Sequence, residues 1–419
     1  MKTLFRHADL VTPGLEIRDG AMLICDDRIA GLYDASEEPP EADRIFDLSG
    51  MTLLPGFFDI HFHGRDNCDF SDASPEAIRT IARGKLSEGV TSFLVTTLTL
   101  GYDTITEICR SAARYAENPE FGRPLGLHLE GPFLNPEGAG AQNPAFLHEP
   151  EIAPVLEWNR IYPIRKVSFS PELRGGIAFA RRLSEAGIMP SGAHSTADLS
   201  CFQKARIAGM KHLTHFCNVM TPLHHLHPGM VGGGLLADDV LVELIADGVH
   251  LTEEMLRVIL RMKGPERIML ITDAMRASGM PEGTYTLGGL DVQVKGGRAA
   301  LPSGRIAGSL LHFCDGLKRL RALHLLPDSE LIRCAGSNQA KSLGIPGIGE
   351  LKTGFHADFI LADRDWTPCA VWCRGRLQYR IPGFSIREQQ NPNPVKPTKT
   401  TKSTKPIKTT KPTRKGRLS

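Results

Sequence analysis

The sequence predicts an α/β protein: a (β/α)8 TIM-like barrel with a small β-sandwich formed from both termini. Three observations point there. The middle of the chain alternates short apolar runs with amphipathic stretches, both flanks read as β structure, and six polar signatures fall where successive apolar runs end. At 419 residues the chain has room for one large domain and a smaller module.

The N-terminal flank, residues 1–55, breaks apolar runs such as Ala21-Met22-Leu23-Ile24-Cys25 and Met51-Thr52-Leu53-Leu54 with turn residues. Residues 348–385 repeat the pattern through Ala357-Asp358-Phe359-Ile360-Leu361 and Ala370-Val371-Trp372-Cys373. Neither flank makes a domain alone, so together they are assigned to the sandwich and 56–347 to the barrel. Candidate barrel strands are 57–61, 92–97, 125–129, 166–170, 188–193, 212–216, 241–246 and 268–272. Between them, 76–88, 176–186, 197–208 and 252–262 carry apolar residues at helical spacing. From 386 to 419, Lys, Thr and Pro dominate, with Lys at every third position from Lys396 to Lys411. Such a segment cannot bury enough apolar surface to order itself and is expected to be disordered and dispensable for catalysis.

The net charge of +2 hides an uneven distribution. Gln389–Ser419 holds seven Lys, two Arg and no acidic residue, and removing those nine charges leaves about −7 for the folded body. That body carries no nucleic-acid footprint. No apolar run reaches the ~20 residues of a membrane span. The N-terminus also lacks a secretory pattern, so a cytoplasmic protein is expected. Nine cysteines without a CxxC fit reduced thiols.

The six signatures carry the chemistry. His61 and His63 flank Phe62 at the end of the first strand, where alternation sends both imidazoles to one side, a good start for a divalent metal site. Glu130 ends the apolar run Leu125–Leu129, where an unpaired carboxylate is costly and a metal would compensate it. His194 and His215 end the fifth and sixth strands. One Glu and two His leave a ligand position for water, as catalytic sites do. Asp273 ends the eighth strand and is placed to act as general base and then acid, although an N-cap is the bland reading. His250 follows the seventh strand and is placed to polarise a substrate carbonyl. His212 is read as core or surface, and His224, His225 and His227 sit in a loop as substrate contacts or simple polarity.

With these residues in place, the chain resembles the amidohydrolase superfamily, and within it the deacetylases of amino-sugar phosphates, over roughly residues 1–385. The most specific stretches are His128-Leu129-Glu130-Gly131-Pro132-Phe133-Leu134-Asn135-Pro136, Leu213-Thr214-His215-Phe216-Cys217-Asn218-Val219-Met220, Ile245-Ala246-Asp247-Gly248-Val249-His250, Thr272-Asp273-Ala274-Met275 and Ala307-Gly308-Ser309. The resemblance implies hydrolysis of the acetamide of N-acetylglucosamine 6-phosphate, or of a related N-acyl amino sugar, to acetate and the free amine. It implies a divalent ion held by Glu130, His194 and His215, with zinc first and iron, manganese or cobalt as alternatives. His61 and His63 are kept, which leaves room for a second ion. Asp273 is implied as acid/base and His250 as the carbonyl contact. Asn218, Val219 and the segment Ile306-Ala307-Gly308 are implied at the sugar site, and a homodimer or higher homo-oligomer at the level of assembly; Gln142 and the loop residue His227 are added as candidate substrate contacts.

Two positions depart from the family pattern. Gln142 stands where the family has a His before Asn-Pro. Leu226 stands where it has an Arg that reaches the substrate phosphate from a neighbouring subunit, a grip Leu cannot supply. Two rival readings are weaker. Amidohydrolases with a carboxylated lysine place it at the end of the fourth strand, which here ends Phe169-Ser170-Pro171-Glu172. A silent scaffold would not need every ligand and Asp273 together.

Overall fold

Residues 1–389 are described in the computed structural model. Eight parallel strands form one sheet in sequence order: Phe57–Asp59, Val90–Thr97, Arg123–Glu130, Ile164–Phe169, Met189–Gly192, His212–Leu213, Leu241–Ile245 and Ile268–Ile271. All eight segments picked out in the sequence become barrel strands. Val90–Thr97 is buried at every position, as a strand packed on both faces requires. The seam between the last strand and the first is laced beyond the regular ladder. The Asp273 amide donates to the His61 carbonyl at 2.9 Å, and the Thr272 hydroxyl to Asp59 Oδ2 at 2.6 Å.

A helix follows each strand on the outside: Pro75–Leu86, Tyr102–Glu117, Ile152–Ile161, Gly176–Glu185, Leu199–Ile207, Gly229–Leu236, Glu253–Lys263 and Phe313–Arg321. Ser74, Asp198 and Thr252 cap three of them by accepting from backbone N–H groups of the first turn. The glycine-rich helix Gly229–Leu236 packs unusually close. A Cβ on Gly233 would sit 2.5 Å from the Phe202 ring, and one on Gly234 2.5 Å from Leu213.

The two termini meet in a separate eight-stranded sheet. Its joint is Arg44–Pro55 against Phe359–Ala362, with Leu53 opposite Leu361. Phe5, Phe359 and Trp372 pack there with centroids 4.8–5.5 Å apart. Arg387–Gln389 also pairs with Arg44–Pro55, so the opening residues of the segment read as a tail lie in this sheet. The remainder of that segment, from residue 390, lies outside the described residues.

One feature has no counterpart in the sequence reading. After the eighth strand, Gly283–Leu287, Leu290–Lys295 and Arg298–Ala300 form an antiparallel three-stranded insertion. Its turns are Gly288-Gly289 (φ 55° and 82°) and Gly296-Gly297 (φ 60° and 73°). Two consecutive residues at positive φ make the tight turn that suits the strand twist, and glycine adopts it without strain. Leu287, Val292, Val294 and Ala299 seat the insertion on Leu98, Met275 and Ala307, over the mouth of the barrel.

Candidate active site

The strand-end residues converge in two groups. Glu130, His194 and His215 form one, and His61, His63 and Asp273 the other, with the ligand-type atoms of each group within 4.8 Å of one another. All six residues are buried. Glu130 links the groups: Oε1 lies 3.1 Å from His215 Nε2 and 3.4 Å from both His194 Nε2 and His61 Nε2, while Oε2 lies 3.1 Å from His63 Nε2. Asp273 Oδ1 closes the second group, 3.2 Å from His63 Nε2 and 3.4 Å from His61 Nε2.

The backbone is forced to hold this arrangement. His194 (φ 46°), His215 (φ 33°), Val219 (φ 51°) and Asp273 (φ 50°) all adopt the left-handed region, which non-glycine residues avoid. Strain of this kind persists where surrounding structure over-determines it, and it clusters at functional sites.

Groups beneath the cluster aim the imidazoles. His194 Nδ1 donates to the Gly138 carbonyl at 2.8 Å, which leaves Nε2 as a lone-pair donor toward the centre. A Cβ on Gly138 would lie 2.5 Å from the His194 carbonyl oxygen, so only glycine lets that loop approach. His61 Nδ1 donates to Glu243 Oε2 at 3.0 Å, which fixes its tautomer in the same way. Glu243 is fully buried, also accepts from the His215 amide at 3.2 Å, and is ion-paired with the buried Lys166 ammonium. Gln142 bridges from above: its Nε2 donates to Glu130 Oε2 at 2.6 Å, and its Oε1 accepts from the Thr99 amide at 2.8 Å.

Electrostatics favour a cation at the centre. His215 Nε2 and His194 Nε2 face each other at 3.1 Å, and His61 Nε2 is buried without a hydrogen-bond partner among the described residues. Burial alone would lower the pKa of His61, yet Glu130 and Asp273 raise it to about 9. His63 is likewise raised to about 10 against burial, by hydrogen bonds to the same carboxylates. Burial would raise Glu130, but the His61 charge and the His194 and His215 hydrogen bonds hold it well below the usual carboxylate range. Imidazole nitrogens and carboxylate oxygens converging in this way make a donor set that fits divalent ions of the zinc type. His128, below His61, and His212 are both pushed down by burial. His212 therefore belongs to the core half of its predicted alternatives.

The cluster forms the floor of a pocket of about 510 Å³. His63, Glu130, His194, His215 and Asp273 line it together with His250, Gln142, Asn218, Val219, Ile306 and Gly308, so most residues singled out in the sequence are brought to one cavity. His250 is held by Asp247, whose Oδ2 lies 2.7 Å from Nδ1. Three residues do not line it, the first being His61, which is fully buried beneath His63 and Glu130. His227 lines a separate surface hollow with His224 and Leu226, because their loop folds outward. Ala307 is fully buried and packs into the base of the insertion rather than lining the pocket. The pocket also takes Leu98, Glu137, Leu287, Arg298 and Arg305, which the sequence reading missed.

A barrel with paired carboxylate–imidazole groups at its strand ends defines the class of metal-dependent barrel hydrolases. The chain belongs to the amidohydrolase family, whose model matches residues 52–410. It is 37% identical over 318 residues to N-acetylglucosamine-6-phosphate deacetylase of Lysinibacillus sphaericus, covering 75% of this chain and 82% of that one. It is 34% identical to N-acetylgalactosamine-6-phosphate deacetylase of Escherichia coli O157:H7, covering 90% and 99%. Among solved structures it resembles a mutant N-acetyl-D-glucosamine-6-phosphate deacetylase from Mycobacterium smegmatis in complex with N-acetyl-D-glucosamine-6-phosphate. The TM-score is 0.85 at 30% identity, over 90% of this chain and 99% of that one.

Proposed function

We propose that this protein removes the acetyl group from N-acetylglucosamine 6-phosphate, releasing acetate and glucosamine 6-phosphate. The observation that carries the reading is the shared pocket of Glu130, His194, His215, Asp273 and His250, in a chain closely similar to deacetylases along most of its length. Glu130, His194 and His215 hold the principal divalent ion, zinc first, and His61 and His63 with Asp273 provide for a second. A bound ion supplies Lewis acidity, which activates the amide carbonyl and makes water acidic near neutral pH.

The chain's own groups do the rest. Burial would raise Asp273, but the His61 charge and the His63 hydrogen bond lower it, so its carboxylate is ionised and ready to accept a proton from water. As the water oxygen bonds to the acetyl carbon its proton passes to Asp273, which returns it to the departing amine as the C–N bond breaks, leaving acetate and the free amine. His250, oriented through Nδ1 by Asp247, presents Nε2 to the acetamide oxygen. Asn218, Val219, Ile306 and Gly308 cradle the sugar, and Gln142 holds Glu130 in place.

The E. coli relative supports a test of the galactosamine epimer alongside the glucosamine one. The exposed Leu223 and Leu226 support a homo-oligomer, which sedimentation velocity will score. No helix among the described residues is long and apolar enough to cross a membrane, in keeping with a cytoplasmic enzyme. The decisive variant is Asp273→Asn. It is expected to retain the ion at Glu130, His194 and His215 while acetate release falls about 10²–10⁴-fold. Wild-type turnover by that variant would remove Asp273 from the reaction.

A further inference from the structure

The pocket is also lined by charged side chains that the chemistry above does not use. Among the described residues, Arg298 and Arg305 are the only Lys or Arg lining it. Both come from the three-stranded insertion and the turn after it. The Leu301 amide donates to the Arg305 carbonyl at 2.8 Å, Ala300 bridges to Ile306, and Arg298 Nη2 donates to the Gly304 carbonyl at 3.1 Å. Residues seven apart in sequence are thereby held on one rim.

Neither guanidinium has a carboxylate within ion-pair distance among the described residues, whereas half of the other described arginines have one. Glu137, the one lining carboxylate outside the metal-binding cluster, pairs with neither. Two cations lining one pocket without acid partners leave most of their N–H donors free for a ligand. A dianion with several oxygens pairs with such donors, and the planar guanidinium fork matches phosphate oxygens. Within one chain, Leu226 contributes nothing here, since it lines the separate hollow beside His224 and His227.

We propose that Arg298 and Arg305 form a phosphate-binding rim of this pocket, supplied by the insertion of the same chain and the turn after it. The assignment takes its substrate from the deacetylase reading and adds the residues that select the phosphorylated sugar. Both side chains are exposed, so replacing them leaves folding intact.

The test compares the metal-loaded wild-type protein with Arg298→Ala, Arg305→Ala, the double variant and Arg305→Lys. Acetate release is measured from N-acetylglucosamine 6-phosphate and from N-acetylglucosamine. Each single alanine is expected to cut the kcat/KM ratio between the two sugars about tenfold, mainly through KM, as loss of a charge-assisted hydrogen bond does. The double variant should lose the preference almost entirely, and lysine should restore part of it. In parallel, titration calorimetry should show glucosamine 6-phosphate binding that weakens in the same order, with glucosamine unaffected. A double variant that keeps the wild-type ratio, or a wild type indifferent to phosphate, overturns the rim. Arginine-dependent binding of glucosamine 6-phosphate without acetate release from either sugar would uphold the rim and overturn the deacetylase reading instead.

Discussion

Glu243 is the residue on which the buried support of the cluster turns, and replacing it should separate folding from metal retention. It lies inside the barrel on Leu241–Ile245, with no exposure, ion-paired to Lys166 and accepting from His61 Nδ1 and the His215 amide. Burial would raise its pKa, but the Lys166 charge and the His61 hydrogen bond lower it from 4.5 to about 2. At about 1.4 kcal/mol per tenfold in the dissociation constant, ionisation of this carboxylate favours the folded state by about 3 kcal/mol, while burial lowers the pKa of its partner Lys166 and offsets part of that stability. Because the folded value lies below the unfolded one, that stability is complete above about pH 4.5 and disappears as pH falls toward 2. Glu243→Leu leaves the Lys166 ammonium buried without a partner, so it should cost about 3–5 kcal/mol in denaturant unfolding at pH 7. Adding Lys166→Met should recover much of that loss, since the apolar pair no longer strands a charge. Metal affinity should not recover, because His61 has still lost the acceptor that orients it. A roughly 10–100-fold weaker hold on the ion nearest His61, read by chelator competition, is expected in both variants. If Lys166→Met on top of Glu243→Leu restored no stability, the ion-pair reasoning would be wrong.

Other consequences can be checked as directly. Gly138→Ala drives a Cβ into the His194 carbonyl and should weaken metal retention about 10–100-fold with little change in secondary structure, as followed by metal analysis and circular dichroism. His250→Ala should lower kcat while metal content stays at the wild-type level, and an unchanged kcat would remove it as the carbonyl contact. Stripping metal with a chelator should abolish acetate release, and restoring activity with zinc, manganese, cobalt or ferrous iron will rank the ions.

The barrel was legible because six of its eight strands are short apolar runs ended by a polar signature, and the stretches between them carry apolar residues at helical spacing. Glu130, His194, His215 and Asp273 were legible for the same reason: they sit where a hydrophobic strand stops, the barrel position at which side chains point into the mouth. Glu243 and Lys166 escaped notice because they lie within strands, where only the closed barrel shows that they meet. The insertion was missed even though Leu287-Gly288-Gly289-Leu290 and Lys295-Gly296-Gly297-Arg298 both carry a two-glycine hairpin signal. Recognising those turns would have directed attention to Arg298 and Arg305. His227 was placed at the site on its residue type alone, and the outward course of its loop depends on tertiary packing that local sequence does not encode.

The most direct test of the account is a proton NMR time course of purified, zinc-reconstituted protein with N-acetylglucosamine 6-phosphate. The account predicts that the acetamide methyl signal is replaced one-for-one by free acetate as glucosamine 6-phosphate accumulates, and that neither appears with Asp273→Asn. Persistence of the acetamide signal with the metal-loaded wild-type protein, in both the glucosamine and galactosamine series, would contradict it.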